Sequence, residues 1–154
     1  MKGDKKLIGI LNELLAEELT AINQYMVHSE MCANWGYEKL HKAIEKQSID
    51  EMKHAEKLIG RILFLEGTPT VSKLNKMNIG KSVPEMVTAD MGAEVDAVKQ
   101  YNEAIKVAVA VGDNGTRDML MGILKDEEAH VDWAEVQRDQ MEQMTVPIYL
   151  ANQR

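Results

Sequence analysis

A single cysteine, Cys32, excludes an internal disulfide and any four-cysteine zinc or iron–sulfur site within one chain. That cysteine usage suits a reducing compartment, and a cytoplasmic location is expected. Nothing approaches about 18 uncharged apolar residues, so no membrane span is expected. The start, MKGDKKLIGILNELLAEEL, meets Glu13, Glu17 and Glu18 before a signal-like apolar run develops. There is no basic block, and the net charge of -7 lacks the electrostatic footprint of a nucleic-acid binder. A net acidic chain attracts cations instead.

Proline is equally scarce. The three, at 69, 84 and 147, leave two long proline-free blocks, each large enough for a pair of helices. Each block is interrupted once, by Asn34-Trp35-Gly36 and by Gly112-Asp113-Asn114-Gly115, both turn-favouring. Between the breaks apolar residues recur at three and four: Leu7, Leu11, Leu14, Ile22 and Met26, then Leu58, Ile62 and Leu65. The pattern predicts helices over 4–35, 38–65, 83–111 and 116–143, in one domain spanning 1–154. A short final helical segment follows Pro147, over 148–154. Ser82-Val83-Pro84-Glu85 is a capping-box start with proline inside the first turn. The irregular stretch 66–81 must cross the bundle, so the expected fold is all-α: a ferritin-like antiparallel four-helix bundle with one long crossover and a short fifth helix. A chain of this length buries roughly 70% of its unfolded surface, enough for a core without staples.

The chain also repeats itself. A shift of 76 residues superposes Glu18, Gln24, Tyr25, Gly36, Asp50, Glu51 and His54 on Glu94, Gln100, Tyr101, Gly112, Asp126, Glu127 and His130. In each half a lone glutamate precedes an Glu-x-x-His pair by the same 33 residues. Residues at i and i+3 leave one helix face about 5 to 6 Å apart at Cβ, so each pair can share a metal ion. Pseudo-two-fold packing of the halves then assembles four carboxylates and two imidazoles. Four ionised carboxylates in a bundle core would each face a desolvation penalty of several kcal/mol, which two divalent ions offset. A ligand set rich in carboxylate and free of thiolate suits iron or manganese, and redox use of oxygen selects iron. A single Glu-x-x-His match is commonplace in helical proteins; two at equal offset from two helix-borne glutamates are not. This constellation is also the one described for ferritin-like di-metal bundles.

With MKGD at the start, LNELLAEELTAINQY around Glu18, SIDEMKHAEKLIGRILFLEG around Glu51 and His54, and LKDEEAHVDW around Glu127 and His130, the sequence resembles the bacterioferritins over essentially its whole length. The resemblance implies a homo-oligomeric hollow shell of twenty-four subunits built from two-fold dimers. Such a shell oxidises Fe(II) with O2 or H2O2 at a di-iron centre in each subunit and stores ferric mineral. It implies that Glu18, Glu51, His54, Glu94, Glu127 and His130 are the ferroxidase ligands, with Glu51 and Glu127 bridging. Tyr25 would supply an electron or a hydrogen bond beside them. Met52, one from each of two subunits, would ligate a haem b iron at the dimer axis, and a small ferredoxin is the expected reductant. Met52 sits about 100° round the helix from Glu51, away from the metal face, and its repeat counterpart is Glu128.

Some relatives in that family have an inner-surface iron site that pairs a histidine with an aspartate. Here Asp50 is present, but Lys46 stands four residues earlier. His28 and His41 lack a partner at ligand spacing and read as structural or exposed. Three other functions stay open on the residues, the plainest a metal-free helical interaction protein. A ferritin-like di-metal peroxidase would normally carry a four-cysteine electron-transfer domain, and a DNA-coating mini-ferritin would usually carry a basic tail.

Overall fold

The computed structural model describes residues 1–154. It contains α1 (Lys5–Asn34), α2 (Glu38–Phe64), α3 (Val83–Ala110), α4 (Asn114–Met144) and α5 (Val146–Ala151), with no strand. The all-α class and the four long helices are as expected. No helix is long and apolar enough to cross a membrane.

Helix ends follow side-chain and backbone chemistry. Asp4 caps α1 through Leu7 N, and Ser82 caps α3 through Glu85 N. The Glu85 side chain reaches back one residue beyond the cap, accepting from Lys81 N rather than from Ser82 N as a capping box would. Gly36 and Gly112 both take positive φ just past α1 and α3. The following amides, of Tyr37 and Asp113, return to the carbonyls of Cys32 and Ala108, closing the same C-terminal motif in each half. After α2 that conformation falls on Glu66 rather than glycine, and Gly67 N returns to Ile62 O.

Three expected boundaries shift. α4 starts at Asn114 rather than 116, because the Asp113 side chain accepts from Thr116 N and takes Gly115 into the first turn. α5 starts at Val146 rather than 148, with Pro147 in its first turn where a missing N–H costs nothing, and it stops at Ala151.

α1 with α2 and α3 with α4 form two tightly packed hairpins, and α1 lies against α3. The crossover runs along α1 and is pinned to it. Asn12 exchanges hydrogen bonds with Thr68 O and Thr70 N, Thr20 Oγ1 accepts from Asn75 N, Gln24 Oε1 from Asn78 N, and His28 Nε2 from Gly80 N. Because this strap ascends the length of α1, α3 starts beside the end of α1 and descends, so α2 and α3 point the same way.

The core is split. One apolar cluster holds Leu7, Leu11, Leu14, Leu15, Leu58, Ile62, Tyr101, Leu120 and Ile123. The other holds Tyr25, Cys32, Leu40, Ile44, Val83, Met86, Met141 and Tyr149. Burial pushes the Cys32 thiol up to about 11, so it stays a packed hydrophobe. Charged side chains occupy the layer between the clusters.

Candidate metal centre

Each long helix delivers its expected side chains to that layer: Glu18 from α1, Glu51 and His54 from α2, Glu94 from α3, Glu127 and His130 from α4. All six are buried, His130 least so at 7% exposed. Ligand atoms of Glu18, Glu51, His54 and Glu127 lie within 4.8 Å of one another, and so do those of Glu51, Glu94, Glu127 and His130. Glu51 and Glu127 belong to both sets, the geometry of two adjacent cation positions with two shared carboxylates.

Both imidazoles aim Nδ1 inward. His54 Nδ1 lies 2.7 Å from Glu127 Oε1, 3.0 Å from Glu51 Oε2 and 3.6 Å from Glu18 Oε2. His130 Nδ1 lies 3.0 Å from Glu51 Oε1 and 3.3 Å from Glu94 Oε1. Outward, His54 Nε2 meets Asp126 Oδ2 at 2.9 Å and His130 Nε2 meets Asp50 Oδ2 at 3.3 Å. A carboxylate on the far ring nitrogen is the usual device for orienting a metal-binding histidine. Lys46 Nζ lies 2.8 Å from the same Asp50 oxygen, so that carboxylate is already shared between a lysine and an imidazole.

Two phenols complete the layer. Tyr25 OH donates to Glu94 Oε1 at 2.5 Å, and Tyr101 OH donates to Glu18 Oε1. The bonds cross between α1 and α3 in opposite directions. Repeat identity between Tyr25 and Tyr101, and between Asp50 and Asp126, was the signal in the sequence for Tyr101 and Asp126, neither of which the ligand pattern selects.

The electrostatics are those of four carboxyls and two imidazoles crowded together away from water. Burial, reinforced by Glu18, lifts the Glu51 carboxyl well above the usual range. Burial and the hydrogen bond to Glu127 push Glu94 up to about 8. For His54, burial favours the neutral ring, but Glu127 and Glu18 overcome it and hold the imidazole up to about 10. Glu18 Oε2, Glu51 Oε1, Glu94 Oε2, Glu127 Oε1 and His130 Nδ1 are buried without a well-directed hydrogen bond, although Glu127 Oε1 and Glu51 Oε1 lie 2.7 and 3.0 Å from the imidazole nitrogens of His54 and His130. Every one belongs to this centre. Orphaned buried acceptors are costly unless something binds them, and five converging donors of this type fit a pair of hard or borderline cations.

A cavity of about 480 Å3 opens onto the cluster between α1 and α3. Glu18, Tyr25, Glu51, Glu94 and Glu127 lie at its inner end, and Glu17, Asn75, Lys76, Asp96 and Gln100 line it nearer the surface. The other residues lie apart. Met52 stands exposed on α2 and faces away from the cluster. His28 is buried, its Nδ1 2.8 Å from Asp90 and its Nε2 accepting from Gly80 N, a structural strut for the crossover. His41 is part-buried, and the fold brings Glu30 of α1 to it beside Glu45, which stands one turn further along α2 and was legible in the spacing as a partner at i+4.

Residues 8–144 match the family model of the ferritin-like domain. The chain is 45% identical to a bacterioferritin of Rhodobacter capsulatus over 137 residues, 89% of this chain and 85% of that one. It is 41% identical to a bacterioferritin of Streptomyces coelicolor over 98% of this chain and 90% of that one. With one from Mycolicibacterium paratuberculosis the identity is 38%, over 98% and 95%. The chain belongs to the bacterioferritin family. Membership over nearly the full length agrees with the bundle, the crossover and the buried acid–imidazole layer described above.

Proposed function

We propose that this protein, an iron-storage protein by family, oxidises Fe(II) at the buried cluster of Glu18, Glu51, His54, Glu94, Glu127 and His130. The observation that carries this is the set of four buried carboxylate oxygens and one imidazole nitrogen that lack a well-directed hydrogen bond and converge from four helices, which two divalent ions would satisfy at once. Glu18 and His54 would hold one ion, Glu94 and His130 the other, and Glu51 and Glu127 both. Two Fe(II) ions bound there supply the electrons that reduce O2 or H2O2.

The chain's own groups do the rest. Glu17 and Asp96 present negative charge along the cavity, drawing cations inward. Six side chains, two of them shared, leave coordination positions open for an oxidant. Asp126 and Asp50 hold the rings so that Nδ1 stays aimed at the ions. Tyr25 and Tyr101 brace the two unshared carboxylates.

The same reading assigns haem b to the interface of a two-fold dimer within a shell of twenty-four subunits, with Met52 as axial ligand from each side. Met52, Ile49 and Met26 are exposed apolar residues on α1 and α2. The thioether would supply a soft axial donor, and a small ferredoxin would be the electron source.

Anaerobic addition of Fe(II) to the assembled, metal-free protein followed by O2 or H2O2 tests the proposal. The expected result is a fast rise in ferric absorbance that saturates at two irons per subunit and is lost in Glu18→Ala and Glu127→Ala. Oxidation no faster than in buffer would remove the ferroxidase function. Saturation with no further iron retained would leave a di-iron peroxidase rather than a store.

A further inference from the structure

We propose that Tyr101 is the positioning residue for Glu18, occupying one carboxylate oxygen so that only the other is offered to a metal ion, as Tyr25 does for Glu94. The inference rests on the di-metal reading above.

The two contacts are built alike. Each phenol donates to Oε1 of a glutamate on the opposite helix, and in each glutamate Oε2 is buried with no hydrogen-bond partner. In Glu18 one oxygen is therefore committed and the other, 3.6 Å from His54 Nδ1, is available; in Glu94 the oxygen that Tyr25 holds also lies 3.3 Å from His130 Nδ1. The rings cannot swing away. Tyr101 is packed in one apolar cluster and Tyr25 in the other, both about 1% exposed, so each hydroxyl is delivered from a rigid anchor on its own side of the polar layer.

The functional consequence is a free coordination position. A carboxylate with both oxygens available chelates one ion and fills two positions. With one oxygen held by a phenol it fills one, and the second stays open for the oxidant. The matched pair would thus keep both ions of the centre reactive, with Tyr101 serving the ion beside Glu18 and His54.

Cobalt(II) titration of the assembled, metal-free protein tests this, because visible cobalt absorption reports coordination number independently of iron oxidation. In Tyr101→Phe, which keeps the packed ring, we expect a spectral change in one of the two bound ions and Fe(II) oxidation slowed about tenfold. Tyr25→Phe should change the other ion, and the double variant both. In a His54→Ala background Tyr101→Phe should add little; in His130→Ala it should keep its full effect. A Tyr101→Phe spectrum superimposable on that of the parent would overturn the assignment, as would an effect undiminished by His54→Ala. Absence of any two-ion cobalt binding in the parent would instead remove the di-metal reading, and the positioning role with it.

Discussion

The two halves of the centre carry the same residues yet sit in different surroundings. Beside Glu94 and His130 the layer continues into buried polar groups: Asp90 accepts from Gln24 and His28, and both of these hold the crossover. Beside Glu18 and His54 the repeat partners of Asp90 and His28 are Leu14 and Ala104, two residues of the apolar core. The outer aspartates differ as well. Asp126 serves His54 alone, whereas Asp50 is divided between His130 and Lys46, whose own counterpart is Gly122. Repetition maintained the groups that face the ions, where two-fold chemistry demands two of everything. Divergence was allowed one layer out, where only one half has to anchor a strap.

The comparison breaks most severely at the shared carboxylates. Glu127→Ala should abolish binding of both ions, because Glu127 belongs to both ligand sets, while Glu94→Ala should leave the position beside His54 able to bind one. Calorimetric titration with Co(II) would give no saturable binding and about one ion per subunit, respectively. Equal losses in the two variants would show that the halves do not act as separable positions.

Next comes pH. In the metal-free chain the Glu94 carboxyl is raised to about 8 and the His54 imidazole to about 10, both above their unfolded values. Groups raised on folding stabilise at low pH. The Glu94 contribution is present below about 4.5 and lost as pH rises through 8, and that of His54 is present below about 6.5 and lost through 10. The melting temperature of the metal-free protein should therefore fall from pH 5.5 to 8.5, and Co(II) should remove the slope by displacing the protons. Calorimetry with chelator and with metal compares the two directly. A flat metal-free profile would contradict the charge assignment.

The smallest expected effect sharpens the asymmetry. Asp126→Asn should weaken metal binding about tenfold, the lower end for loss of an outer carboxylate on a ligating histidine. Asp50→Asn should do less, since Lys46 already withdraws part of that carboxylate from His130. Equal weakening would mean that Lys46 is only a solvated surface partner, as most exposed ion pairs are.

How much of this was legible in advance follows from the range of the interactions. α2 began at Glu38 and α3 at Val83, as expected, because Gly36 and the Ser82–Glu85 cap are signals read within four residues. α4 began two residues early, since whether Asp113 caps Thr116 or a later amide is decided by local geometry as well as by Arg61, which donates to Asp113 from α2. His28 carried no signal at all, because both its partners lie more than 50 residues away.

By itself the sequence determined the helices, their pairing into two equivalent halves, and which acids and imidazoles would share a helix face, because periodicity and an offset of 76 residues are properties of the chain. Only the tertiary structure decided that Tyr101 reaches Glu18, that Asp126 holds His54, that Asp50 reaches His130, and that the crossover is nailed to α1 through His28 and Gln24. Most of those bonds join residues on different elements, and their geometry depends on how packed helices slide and rotate against one another. No pattern within a single helix carries that information.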